Sequence, residues 1–211
     1  MTPQPRRTVP FALLALGGVA FIAGGISHPS DSGTGTKTEQ LHEMLVQDSW
    51  YPSHALLLVA TVGFAAGALA LRDQGTPAFR SVARAATVVG AVAVLGMAVH
   101  LLEGLNAEAL ADGEANLFAR VQAVNETVVD TAWGVAFAAL ALVGGLTRSA
   151  GNIVTAALGL VGGAAFAVAS ATIASTDLFD PLFPVSALLG TWAIWIGVAH
   201  ARAGAGTPVS V

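Results

Sequence analysis

Long apolar stretches alternate along the chain with short polar ones. Runs free of Asp, Glu, Lys and Arg cover 8–30, 49–71, 85–102, 131–147, 149–176 and 181–201. Strand-like alternation is absent, and the runs are rich in Ala, Leu, Val and Gly. A helix needs about 20 mostly apolar residues to cross a bilayer. Backbone polar groups in hydrocarbon must be satisfied within the segment, which leaves only helices or closed barrels. The pattern predicts an all-α integral membrane bundle, a single domain over 1–211 with six transmembrane helices. They are placed near 9–28, 53–72, 84–104, 127–147, 153–174 and 183–201.

The polar stretches predict smaller elements. "SDSGTGTK" (30–37) is a flexible linker. In "TKTEQLHEMLVQ" (36–47), Thr36 with Glu39 three residues on makes a capping-box pattern, and Leu41, Met44 and Leu45 share a face. This predicts a short amphipathic helix on the outer membrane surface, with His42 beside its apolar stripe. "NAEALADG" (106–113) is a second short helical segment, and "ANLFARVQAVNETVVD" (115–130) runs into the fourth span.

Composition supports the membrane assignment. The 211 residues are 55% hydrophobic and 10% charged, with mean hydropathy +0.71. A soluble domain carries about 25% charge. The small-residue pairs Gly63/Gly67 and Gly159/Gly163 predict close helix contacts. The absence of cysteine excludes disulfides, thiolate metal sites, Fe–S clusters and thiol nucleophiles. A net charge of −4 without a basic stripe argues against nucleic acid as a partner.

Charge also orients the spans. Arg6, Arg7, Arg72, Arg80, Arg84, Arg148 and Arg202 fall on one side, and Lys37 and Arg120 on the other. Positive loops stay in the cytoplasm, so both termini are expected inside a plasma membrane. Of the acidic residues only Asp73 lies on the cytoplasmic side. The first run also has signal-peptide features, with Gly25 and Ser27 ahead of a possible cut before His28. Its length favours a retained anchor. A weak echo links "YPSHALL" to "FPVSALL", and "GGVAFIAGGISH" to "GAVAVLGMAVH".

This topology turns scattered polar residues into a layer. His28, His54, His100 and Glu103 fall at the outer ends of three helices, with Glu126 and Asp130 at the outer start of a fourth. Gln122, Glu126 and Asp130 recur every four residues, and Trp133 continues the stripe. Ionisable groups at membrane depth are costly and usually face the bundle interior. Imidazole and carboxylate together suit a transition metal, Zn, Cu or Fe, with His28, His54, His100 and Glu103 as the candidate ligands. The carboxylates serve either as ligands or as groups orienting the imidazoles.

Three other readings stand beside the metal. A single b-type haem would use His54 and His100 as axial ligands, with Trp192 and Trp195 lining its slot. A metal-free enzyme on a lipid or isoprenoid substrate would use Glu126 and Asp130 as acid and base. A non-catalytic partner subunit, or a homo-oligomer, would need neither. P-loop, dinucleotide, H-E-x-x-H and nucleophile-elbow motifs are absent. Residue by residue, simpler roles also exist. His28 before Pro29 ends a helix, His42 lies on a solvated helix, and His200 with Arg202 meets cytoplasmic headgroups. Trp50, Tyr51 and Trp133 read as an interfacial aromatic belt. In composition and topology alone the chain resembles many small bacterial six-span proteins, and that resemblance carries no site with it.

Overall fold

The computed structural model describes residues 8–205, so Arg6 and Arg7 lie outside the described residues. The main helices are α1 (Thr8–Ile26), α2 (Lys37–Leu45), α3 (Trp50–Leu71), α4 (Pro77–Leu102), α5 (Leu117–Val124), α6 (Thr131–Leu146), α7 (Ile153–Thr172) and α8 (Ala187–Ala205). A 3₁₀ segment, Glu103–Leu110, extends α4. A π-helical turn, Asn125–Asp130, joins α5 to α6. Among the described residues, six helical stretches are long and apolar enough to cross a membrane, and no strand occurs.

The spanning segments pack in a ring in chain order. α1 lies against α3, α3 against α4, α4 against α6, α6 against α7, α7 against α8, and α8 closes back on α1. Glycines set the close approaches. A Cβ on Gly63 would collide with the Leu13 carbonyl and with Gly17, so α1 and α3 meet backbone to backbone. Gly163 faces Gly134 and Ala138 in the same way, joining α7 to α6. Both predicted pairs therefore mark helix contacts.

Two of the predicted spans begin well before their expected starts. α4 starts at Pro77, because Thr76 caps it and proline suits the first turn; its charged first turns simply project past the apolar zone. The fourth span begins at Leu117, since α5, the π turn and α6 form one rod. The sixth starts as 3₁₀ turns at Asp180–Leu182 and Pro184–Ser186 before α8. The Thr36/Glu39 capping box is present at the start of α2.

The middle of the ring is filled by aromatic side chains. Phe64 lies 5.0 Å from Trp133 and 5.1 Å from Phe137 between ring centroids, and Phe21 and Phe166 also pack on Trp133. This corrects the belt assignment. Trp133 is 2% exposed and Trp50 1%, whereas Tyr51 is 44% exposed. The two tryptophans face inward because each packs against other rings, Trp133 in the core and Trp50 against histidines. Toward one end the aromatic plug gives way to a cavity of ≈ 1080 Å³, with Phe21, Trp133 and Phe166 among its lining.

Candidate metal centre

The cavity lies at the end of the bundle where α1 stops, α3 starts and α4 turns into its 3₁₀ extension. His28, His54, His100, Glu126 and Asp130 all line it. One ring nitrogen from each of His28, His54 and His100 falls within 4.8 Å of the others. The sequence had dispersed these residues over three helices, and the fold brings them together.

Each imidazole is fixed through Nδ1. His28 Nδ1 lies 2.8 Å from the Pro29 carbonyl oxygen. His54 Nδ1 lies 2.7 Å from the Trp50 carbonyl oxygen, one turn earlier on α3. A carbonyl oxygen only accepts, so in both rings Nδ1 carries the proton. His100 Nδ1 lies 3.1 Å from Glu103 Oε2, and Glu103 is fully buried. The Gln122 amide packs against the same nitrogen. Gln122 Nε2 can only donate to that nitrogen and so favours the opposite tautomer. An ionised Glu103, together with the unpartnered Gln122 carbonyl oxygen turned to the ring, would accept from Nδ1–H and give His100 the tautomer of the other two rings. The Nε2 atoms are then the free ligands.

The Nε2 atoms meet. His54 Nε2 and His100 Nε2 are 3.1 Å apart, and Glu126 Oε1 is 3.5 Å from His100 Nε2. Trp50 holds the rings in place. It stacks on His54 with centroids 3.8 Å apart, meets His100 edge-on at 5.0 Å, and donates its indole N–H to the Leu101 carbonyl at 3.3 Å. His54 and His100 are buried, while His28 keeps accessible surface at the mouth. Even so, the protein crowded around His28 pushes its pKa below the usual histidine value. The Pro29 hydrogen bond opposes that shift, and nearby His100 adds to it. The neutral imidazole, the form that binds metals, is thereby favoured.

Glu126 and Asp130 belong to the π turn, and such turns recur at functional sites because the widened backbone re-aims side chains. Gly96 of α4 leaves the space that the Asn125 side chain fills, seating the turn against its neighbour. Glu103 addresses the Nδ1 side of His100, away from the converging Nε2 atoms. Trp192 is buried in the aromatic core and Trp195 is 58% exposed, and neither lines the cavity. His42 reaches the Ala107 carbonyl at 2.9 Å, and His200 stacks on Phe11 at 4.7 Å. Neither joins the histidine cluster.

Sequence reasoning missed the cavity's cover. Lys37, Gln40, Leu41 and Met44 of α2 line the cavity, so α2 lies across its mouth. Lys37 pairs with Asp177 beyond α7, and Gln40 reaches the same carboxylate at 3.4 Å. The only signal was opposite charge 140 positions apart, which no local pattern exposes. Comparison with protein-family models, curated proteins and solved structures finds no match to this chain.

Proposed function

We propose that this is a multi-pass membrane protein that binds a divalent transition metal, zinc fitting best, through His28, His54, His100 and Glu126. The observation that carries the reading is the 3.1 Å approach of His54 Nε2 to His100 Nε2. When both Nδ1 atoms carry the proton, two lone pairs face each other, and a cation between or beside them relieves the repulsion. Two nitrogens on one tetrahedral ion at about 2.0–2.1 Å stand about 3.3 Å apart. The Glu126 oxygen, 3.5 Å from His100 Nε2, fits a further edge of the same polyhedron. Glu103 and the Pro29 and Trp50 carbonyls then act from behind, fixing tautomers and ring planes.

Haem fits this geometry poorly. Two axial nitrogens on one iron stand about 4 Å apart with a macrocycle between them, whereas these two rings touch edge to face at 4.6 Å between centroids. The apolar helices imply a lipid bilayer environment. We place the histidine end outside a plasma membrane and the arginine-rich end in the cytoplasm, following the positive-inside rule.

Zinc titration of the purified protein, with elemental analysis after dialysis, tests the reading. One zinc per chain is expected, falling below a tenth of that in His54→Ala and His100→Ala. A shared proton in place of a metal would leave the wild-type protein free of zinc at micromolar concentrations. That result would sink the proposal.

A further inference from the structure

The cavity holds more polar chemistry than metal binding uses. Asp130 lines it, one turn beyond Glu126, yet among the described residues no hydrogen bond or ion pair engages its carboxylate. A half-buried carboxylate with no partner, one turn from a second carboxylate, is costly, and function is the default reason for one at membrane depth. Trp133 lines the same cavity three residues on, and its buried Nε1–H has no acceptor. A base without a proton donor and a donor without an acceptor therefore share one wall beside the histidines.

The other walls state what kind of molecule enters. Ile22, Ile26, Leu57, Met97, Ile173 and Phe183 form an apolar part of them, and Lys37, Arg120, Asp177 and Asp180 a charged part. Ile26 is 82% exposed, so this wall reaches the outer surface of the bundle at the end of α1. At ≈ 1080 Å³ the space exceeds the usual pocket of about 300–1,000 Å³. It accommodates a long acyl chain as well as a polar head.

We infer that the site hydrolyses the acyl ester or amide bond of a long-chain amphiphile; this rests on the metal reading above. Asp130 takes a proton from a water, whose oxygen bonds to the acyl carbonyl carbon; a zinc held by the histidines would supply the polarisation of that water. The bond from that carbon to the leaving oxygen or nitrogen breaks, and the leaving atom takes the proton from Asp130. One water is consumed, a carboxylic acid and an alcohol or amine are released, and nothing changes oxidation state. Trp133 Nε1–H donates to the carbonyl oxygen as its charge develops. The acyl chain lies along the Ile26–Phe183 wall, so binding energy from the tail positions the reacting carbonyl.

The test uses the full-length zinc-loaded protein in detergent with fluorogenic palmitoyl and butyryl esters and a palmitoyl anilide. Hydrolysis of a palmitoyl probe is expected, with kcat/KM at least about 10-fold above that of the butyryl ester. Asp130→Asn should keep one zinc per chain and lose about 100-fold or more in kcat, as removal of a general base does. Trp133→Phe, also zinc-loaded, should lose about 10-fold or more. Zinc-loaded wild type that cleaves no probe, or an Asp130→Asn protein of undiminished rate, overturns the hydrolase inference and leaves the metal site standing. A chain that takes up no zinc overturns the metal site itself.

Discussion

His100 is gripped on both sides of its ring. Nε2 faces His54 and Glu126, and Nδ1 faces Glu103 at 3.1 Å. Glu103 is fully buried, so its contact with His100 is shielded from water. A carboxylate behind a ligating imidazole fixes the tautomer and raises its basicity, and removing one typically costs 10–100-fold in metal affinity. Glu103→Gln keeps the size and loses the charge, and zinc competition against a chromophoric chelator should show a drop in that range. If Glu103 instead binds the ion directly, the loss will exceed about 100-fold and match that of a missing histidine. Affinity equal to wild type would mean that the pairing with His100 has no bearing on the metal.

At the scale of elements, α2 and the π turn decide how the site is covered and aimed. α2 is held by its own capping box and by the Lys37–Asp177 pair. Lys37 holds the Asp177 carboxyl below its usual pKa, and the Thr36 backbone does the same for Glu39. A depressed carboxylate pKa stabilises the fold above the unfolded value, and the contribution disappears as pH falls through the folded value. Both groups are open to solvent, so the effect on global stability is small. The effect on α2 alone is local and measurable. Hydrogen exchange over 37–45, corrected for its intrinsic pH dependence, should quicken as pH drops below the ordinary carboxylate range. Asp177→Asn should quicken it already at neutral pH, and an unchanged rate in that variant would show that the Lys37–Asp177 pair does not hold α2.

The same two elements show what the sequence could reveal. The capping box is a local pattern, four residues long, and it was readable. The spans were readable because lipid demands apolar length. The histidine layer followed from alternating span direction. The π turn was not readable, since no residue type specifies it and it depends on how α5 and α6 seat against α4. The burial of Trp50 and Trp133 was hidden for a related reason. A tryptophan near a helix end serves a belt or a packed interior equally well, and only the neighbouring rings decide.

For the whole molecule, the two ends of the ring differ in charge. At the end opposite the histidines, the turn at 72–76 lies beside the one at 147–149, where the Thr76 N–H donates to Ser149 Oγ at 3.3 Å. That end carries Arg72, Arg80, Arg84 and Arg148, with Asp73 pairing to Arg72 and Arg84. The histidine end carries Lys37 and Arg120 among many carboxylates. Translocation of arginine-rich loops is disfavoured, so the arginine end should remain cytoplasmic. The chain contains no cysteine, which makes single-cysteine labelling clean. Ala111→Cys and Ala78→Cys place thiols at exposed positions on opposite ends. A membrane-impermeant maleimide added to intact cells should label Ala111→Cys fully and Ala78→Cys only after lysis. The reverse pattern would put the histidine cavity on the cytoplasmic side. Labelling of both thiols in intact cells would mean dual insertion, and the charge asymmetry would then carry no orientation.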